Sequence, residues 1–199
     1  LRQVARERPE TGACALATAM ELWLWTLQHL QGAADAEGGK LYHGNRQGVT
    51  FPLADALCWL LAARQQILDV LELAARGPES PALAEGLGGL TGFLTDLCHV
   101  QAARSAGEVG RICAELVHGY NRHPAWEGAV RESAGGGVDA LAWKPADCSK
   151  AGPCVLLAEL EPFARLRLRL DACLIGARLA KDRAAQALTE VMIPEALDY

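Results

Sequence analysis

Residues 89–120 read GLTGFLTDLCHVQAARSAGEVGRICAELVHGY, and this stretch decides the fold. No proline interrupts it, and its only breakers are isolated glycines. Phe93, Leu97, Val100, Ala103, Gly107, Gly110, Ala114 and Val117 recur at helical spacing. The pattern predicts one helix roughly 45 Å long at ~1.5 Å per residue. A helix of that length needs partners of similar length to cover it.

The flanking sequence supplies them. After the charged LRQVARER and Pro9-Glu10-Thr11, a helix to Gln31 is expected, with Leu16, Met20, Trp23, Leu27 and Leu30 on one face. Residues 32–50 are glycine-rich and polar, which predicts a long loop. Pro52 suits the first turn of the next helix. That helix shows Leu53, Leu57, Leu60, Leu61, Ile67, Leu68 and Leu71 on its apolar face and stops at Gly77-Pro78. Ser80-Pro81 opens a short helix that ends by Gly86 or Gly88. Residues 121–153 carry most of the breakers and read as loop. A last helix begins near Cys154 or at Pro162, the latter preferred because an interior proline costs about 3 kcal/mol, and runs to Pro194. Within it RLRLRLD alternates with period two, but no partner strand is in sight, so helix is the reading. Gly176, Ala180 and Ala184 put small residues at helical spacing, for tight packing within the bundle or for a subunit contact. The fold class expected is all-α: one domain spanning residues 1–199, an antiparallel four-helix bundle with long connecting loops.

Composition agrees. The chain has 199 residues, 51% of them hydrophobic and only 6% aromatic, with Ala and Leu dominant. Its net charge is −5, and no basic stripe invites nucleic acid. The most apolar window, residues 13–30, contains Glu21 and His29 and is too polar for a membrane span. Seven cysteines with no CxxC pair, and no visible signal peptide, point to reduced thiols in the cytoplasm. Cys58, Cys98, Cys113 and Cys173 fall in apolar helical stretches and read as buried.

No motif here is specific by itself. Asp96-x-x-His99 and Glu115-x-x-His118 have the spacing of carboxylate-bridged metal sites, with Glu21 as a further donor. Both pairs lie on one helix, whereas a dinuclear site needs them on two, so hydrogen-bonded or solvated side chains are preferred. Arg46 offers a permanent planar charge suited to phosphate, and Gly48 a backbone that a ligand can approach. Gly119 and Tyr120 close the long helix, where a glycine stop is ordinary. Glu127 lies beside Trp126, and an apolar neighbour raises a carboxylate toward the range of a useful base. Lys144 and Lys150 make the later loop locally basic.

Three segments together resemble the C-terminal helical domain of the acyl-CoA dehydrogenase family. RERPETGACALATAMELW is similar to that domain's opening helix. NRQGVTFPLADALCWLLAARQQILDVLEL resembles its Arg-x-x-Phe-Gly-x-Pro segment and the following helix, with Arg46, Gly48, Phe51 and Pro52 here and the phenylalanine displaced. AARSAGEVGRICAELVHGY resembles the long helix entering a Gly-Gly-x-Gly turn, of which Gly119 remains. The resemblance implies FAD as cofactor and an acyl-CoA-type substrate. It also implies Arg46, Gly48, Gly119 and Tyr120 at the cofactor, and a base at Glu127 or, as in other members, near the start of the first helix at Glu7 or Glu10. The family's sheet domain and first helical domain would come from other protein. The chain, which opens on Leu1 and not Met, is therefore expected to be part of a larger flavoprotein and to take part in a homo-oligomer. A non-enzymatic interaction module, or a carboxylate–histidine metal-binding bundle, is the alternative.

Overall fold

The computed structural model describes residues 1–34, 38–76, 87–119 and 153–192. Six α-helices account for most of them: α1 (Arg2–Glu7), α2 (Ala13–Gly32), α3 (Gln47–Arg76), α4 (Leu87–Gly119), α5 (Pro153–Ala172) and α6 (Ala177–Met192). The described residues form no sheet; one isolated bridge joins Ala34 to Lys40. The protein is all-α, as the periodicity predicts.

Residues 89–119 fall within α4, which touches α2, α3, α5 and α6. Its buried stripe differs from the expected one. Thr95, Cys98, Ala102, Ser105, Val109, Ile112 and Leu116 are buried, with His99, Ala106, Cys113 and Val117 beside them. Phe93, Leu97, Val100, Ala103 and Gly107 are only half-buried. The reason is that α4 is central. A helix covered on several sides buries small and polar residues that amphipathic scoring passes over.

Helix α3 keeps a strict 4–3 alternation of buried residues: Val49, Leu53, Ala56, Leu60, Ala63, Ile67 and Val70. The first-named stripe of α4 repeats with the same step, which is the geometry of side chains interlocking along a gently crossed pair. Leu61, expected in the core, is half exposed because it falls outside that stripe.

The helix directions alternate. Trp23 Nε1 donates to the Leu53 carbonyl at 3.0 Å, fixing α2 against α3. Gly12 lies against His99 and Ala102, so α2 runs with α4. Along α5, Phe163 packs against Trp25 and His118, Leu170 approaches Gly110, and Cys173 reaches Cys14. That descent is antiparallel to both α2 and α4.

Three boundaries depart from expectation. Helix α3 starts at Gln47, so Pro52 sits inside it and not in its first turn. The start is held by Val49 N and Thr50 N donating to the Arg46 carbonyl and by complete burial of Val49. The preceding segment is pinned back on α2: Leu41 N donates to Ala33 O, Tyr42 N donates to Leu30 O, and Leu41 is buried. Helix α5 likewise begins at Pro153 and carries Pro162 internally. Leu160 and Phe163 bracket that proline and are almost fully buried. Burying two such side chains contributes ~1.5–3 kcal/mol each, enough to offset one lost backbone bond.

The last helix is also not continuous. A turn at Cys173–Gly176, with Gly176 at φ 86°, separates α5 from α6. RLRLRLD is helical, with Leu170 buried and Leu168 exposed. Ala180 and Ala184 are buried in the chain's own fold, where α6 packs on α4. The expected short helix after Ser80 and the loop of 121–152 lie outside the described residues.

Candidate functional site

Arg46 precedes the first turn of α3, and Gly48 lies within that turn. Gly119 is the last residue of α4. Because α3 and α4 run in opposite directions, these residues, more than seventy apart in sequence, lie toward the same end of the bundle. Arg46 is half-buried; Gly48 and Gly119 are exposed. A Cβ at Gly119 would meet no atom of this chain within 4 Å. Tyr120 and Glu127 lie outside the described residues.

An open groove of about 460 Å³ lies between α3 and α4, lined by Pro52, Asp55, Trp59, Glu108, Arg111 and Glu115 among others. Arg111 is held by two carboxylates of its own helix, Glu108 at 2.6 Å and Glu115 at 2.5 Å. Its hydrogen bond and charge keep the Glu108 carboxyl below the usual range, so that side chain is ionised at neutral pH. The Arg104 guanidinium lies over the Trp59 ring at 5.6 Å. Asp55, Glu108 and Glu115 outnumber Arg111 and the adjacent Arg104, so the groove is acidic. It does not fit a phosphate-bearing cofactor, and Arg46 is not part of its lining.

Glu10 sits elsewhere. It belongs to a short 3-10 turn, Pro9–Thr11, ahead of α2. Arg46 lies beyond the far end of α2, and that helix's 20 residues span ~30 Å. A single site within one chain therefore cannot use both. Partial burial raises the Glu10 carboxyl, but the Arg8 guanidinium, by hydrogen bond and charge, more than offsets it and leaves the group below its ordinary value. That direction makes an ionised, weak base.

The helical carboxylate–histidine pairs do not converge. Asp96 is taken by Arg183 and Glu115 by Arg111, while His118 packs edge-on against Phe163. Glu21 lies between Arg2 at 2.8 Å and Arg169 at 3.2 Å. Among the described residues no cluster of three or more His, Cys, Asp or Glu could hold a metal.

His99 is buried against Gly12 and beside Gly176, and its Nδ1 has no hydrogen-bond partner among the described residues. Desolvation holds its imidazole below the ordinary 6.5; the Asp96 charge opposes this, Arg183 adds to it, and the Glu10 backbone carbonyl supports the proton. A group lowered in the folded state takes up its proton first in the unfolded chain. Its stability contribution is intact above 6.5 and is lost as pH falls below that value. The difference in unfolding free energy between the wild type and His99→Gln should therefore narrow from pH 7 to pH 5, by no more than about 1.4 kcal/mol per pH unit. Urea titrations at four pH values test this, and a constant difference would contradict it.

Sequence reasoning missed one constellation. Cys14, the second residue of α2, and Cys173, in the turn after α5, place their sulfurs 3.1 Å apart. Thr18 Oγ1 lies 3.5 Å from the Cys173 sulfur and donates to the Cys14 carbonyl. The two cysteines are 159 residues apart, so no local spacing announces them. Cys98 and Cys113 are buried as expected, but Cys58 is exposed.

No described helix is long and apolar enough to cross a membrane. Comparisons with known protein families, with curated proteins and with solved structures found no match.

Proposed function

We propose that the chain is the C-terminal helical domain of an acyl-CoA dehydrogenase-like flavoprotein of the cytoplasm, working as one wall of a site completed by other protein and as an oligomer contact. One observation carries this reading: antiparallel α3 and α4 bring Arg46, Gly48 and Gly119 toward one end of the bundle. There Arg46 would face the phosphates of FAD, and the two glycines would let the cofactor come close. FAD would accept hydride from an acyl-CoA-type substrate. This chain's part is to bind and orient, because Glu10 is a bundle's length away and Glu127 lies outside the described residues.

The test uses the intact natural protein. The wild type should purify with a flavin absorption band, and Arg46→Ala should lower flavin occupancy about tenfold or more, since a hydrogen bond to a charged group contributes ~1.5–3 kcal/mol. A colourless intact protein, or full occupancy in the variant, overturns the reading.

A second reading, a non-enzymatic interaction module, is favoured by exposed Leu168, Ile175 and Leu179 (72%, 82% and 65% accessible) around the α5–α6 turn. It expects assembly whose size on a sizing column is indifferent to added flavin.

A further inference from the structure

We propose that Cys14 and Cys173 form a reversible redox latch, a thiol pair that closes to a disulfide between the start of α2 and the α5–α6 turn under oxidising conditions. The sulfurs already sit 3.1 Å apart. A disulfide bond is about 2.05 Å long, so closure asks for roughly 1 Å of approach, within reach of side-chain rotation. Cys14 is exposed and Cys173 half-buried, so a small oxidant can reach the pair. Cys58 is exposed too but has no cysteine against it among the described residues, while Cys98 and Cys113 are buried.

The oxidant is a low-molecular-weight disulfide such as oxidised glutathione. One protein thiolate attacks a glutathione sulfur, breaking the glutathione S–S bond and releasing one glutathione thiolate. The second protein thiolate then attacks the protein sulfur of the mixed disulfide and releases the other. Two electrons pass from the cysteines to glutathione disulfide, and the two thiol protons go to solvent or to the departing thiolates. The Cys14 thiol is pushed up to about 11, first by its hydrogen bond with Cys173, then by burial and the Cys173 charge; Arg169 lowers it and Glu21 raises it. Its thiolate is accordingly scarce at neutral pH, which slows closure. Two elements are tied by the latch. Helix α2 is fixed to the turn that also touches His99 through Gly176.

The experiment treats the folded full chain with oxidised glutathione at pH 8.5, blocks free thiols and maps peptides without reduction. The expected product is a Cys14–Cys173 linked peptide, two hydrogens lighter than the sum of its parts. It should be absent from Cys14→Ser and Cys173→Ser and reversed by dithiothreitol. Joining residues this far apart should raise the melting temperature by roughly 10 °C on oxidation in the wild type and not in either serine variant. Glutathione retained on Cys14 with no cross-link, or a cross-link formed only in urea, overturns the proposal. So does oxidation that leaves the melting temperature unchanged.

Discussion

Gly12→Val should cost about 4 kcal/mol of folding free energy. Gly12 closes the 3-10 turn and caps α2 at φ 75°. A side chain in that left-handed region costs ~1–2 kcal/mol, more when branched at Cβ. Space is also lacking: a Cβ there would lie 2.9 Å from the Ala102 Cβ and 3.0 Å from the His99 Cα. One of those neighbours is backbone of the central helix and cannot swing aside, so overpacking of ~1–3 kcal/mol adds to the strain. Total stability for such a domain is about 5–15 kcal/mol. Urea unfolding followed by circular dichroism measures the loss; a change below about 1 kcal/mol would mean that the α2–α4 contact is looser than described.

The second large effect is a contrast between neighbours. Leu60→Ala should lose about 3 kcal/mol, within the ~2–5 kcal/mol seen for buried leucines, whereas Leu61→Ala should stay within about 0.5 kcal/mol. Leu60 is wholly enclosed in the 4–3 stripe of α3, and Leu61 is 50% accessible. Sequence alone ranks both as core. Equal losses in the two variants would show that the register of α3 on α4 is wrong.

That pair shows what the sequence could and could not disclose. Leucine and alanine spacing is a local property, so three long helices and the all-α class were legible from periodicity. Which side of α4 is buried depends on neighbours contributed by distant segments, and the expected stripe fell beside the true one. Pro52 and Pro162 look like helix starts because a proline's local cost is visible; the burial of Val49, Leu160 and Phe163 that outweighs it is not. The expected single last helix broke at Gly176 because the chain there turns around His99 of another element. The cysteine pair could not be seen at all, since closeness across 159 residues is made by the fold and leaves no spacing to count. Of the expected site residues, Arg46, Gly48 and Gly119 lie toward one end of the bundle, but Glu10, expected as a base, lies toward the other.

The knuckle at Cys173–Gly176 divides labour along the fourth rod. Helix α5 leans on α2 and α4, while α6 leans on α4. A continuous rod would have to leave the barrel of its neighbours all at once. Two jointed segments need not, so each half follows its own neighbours, and Ala180 and Ala184 stay enclosed against α4.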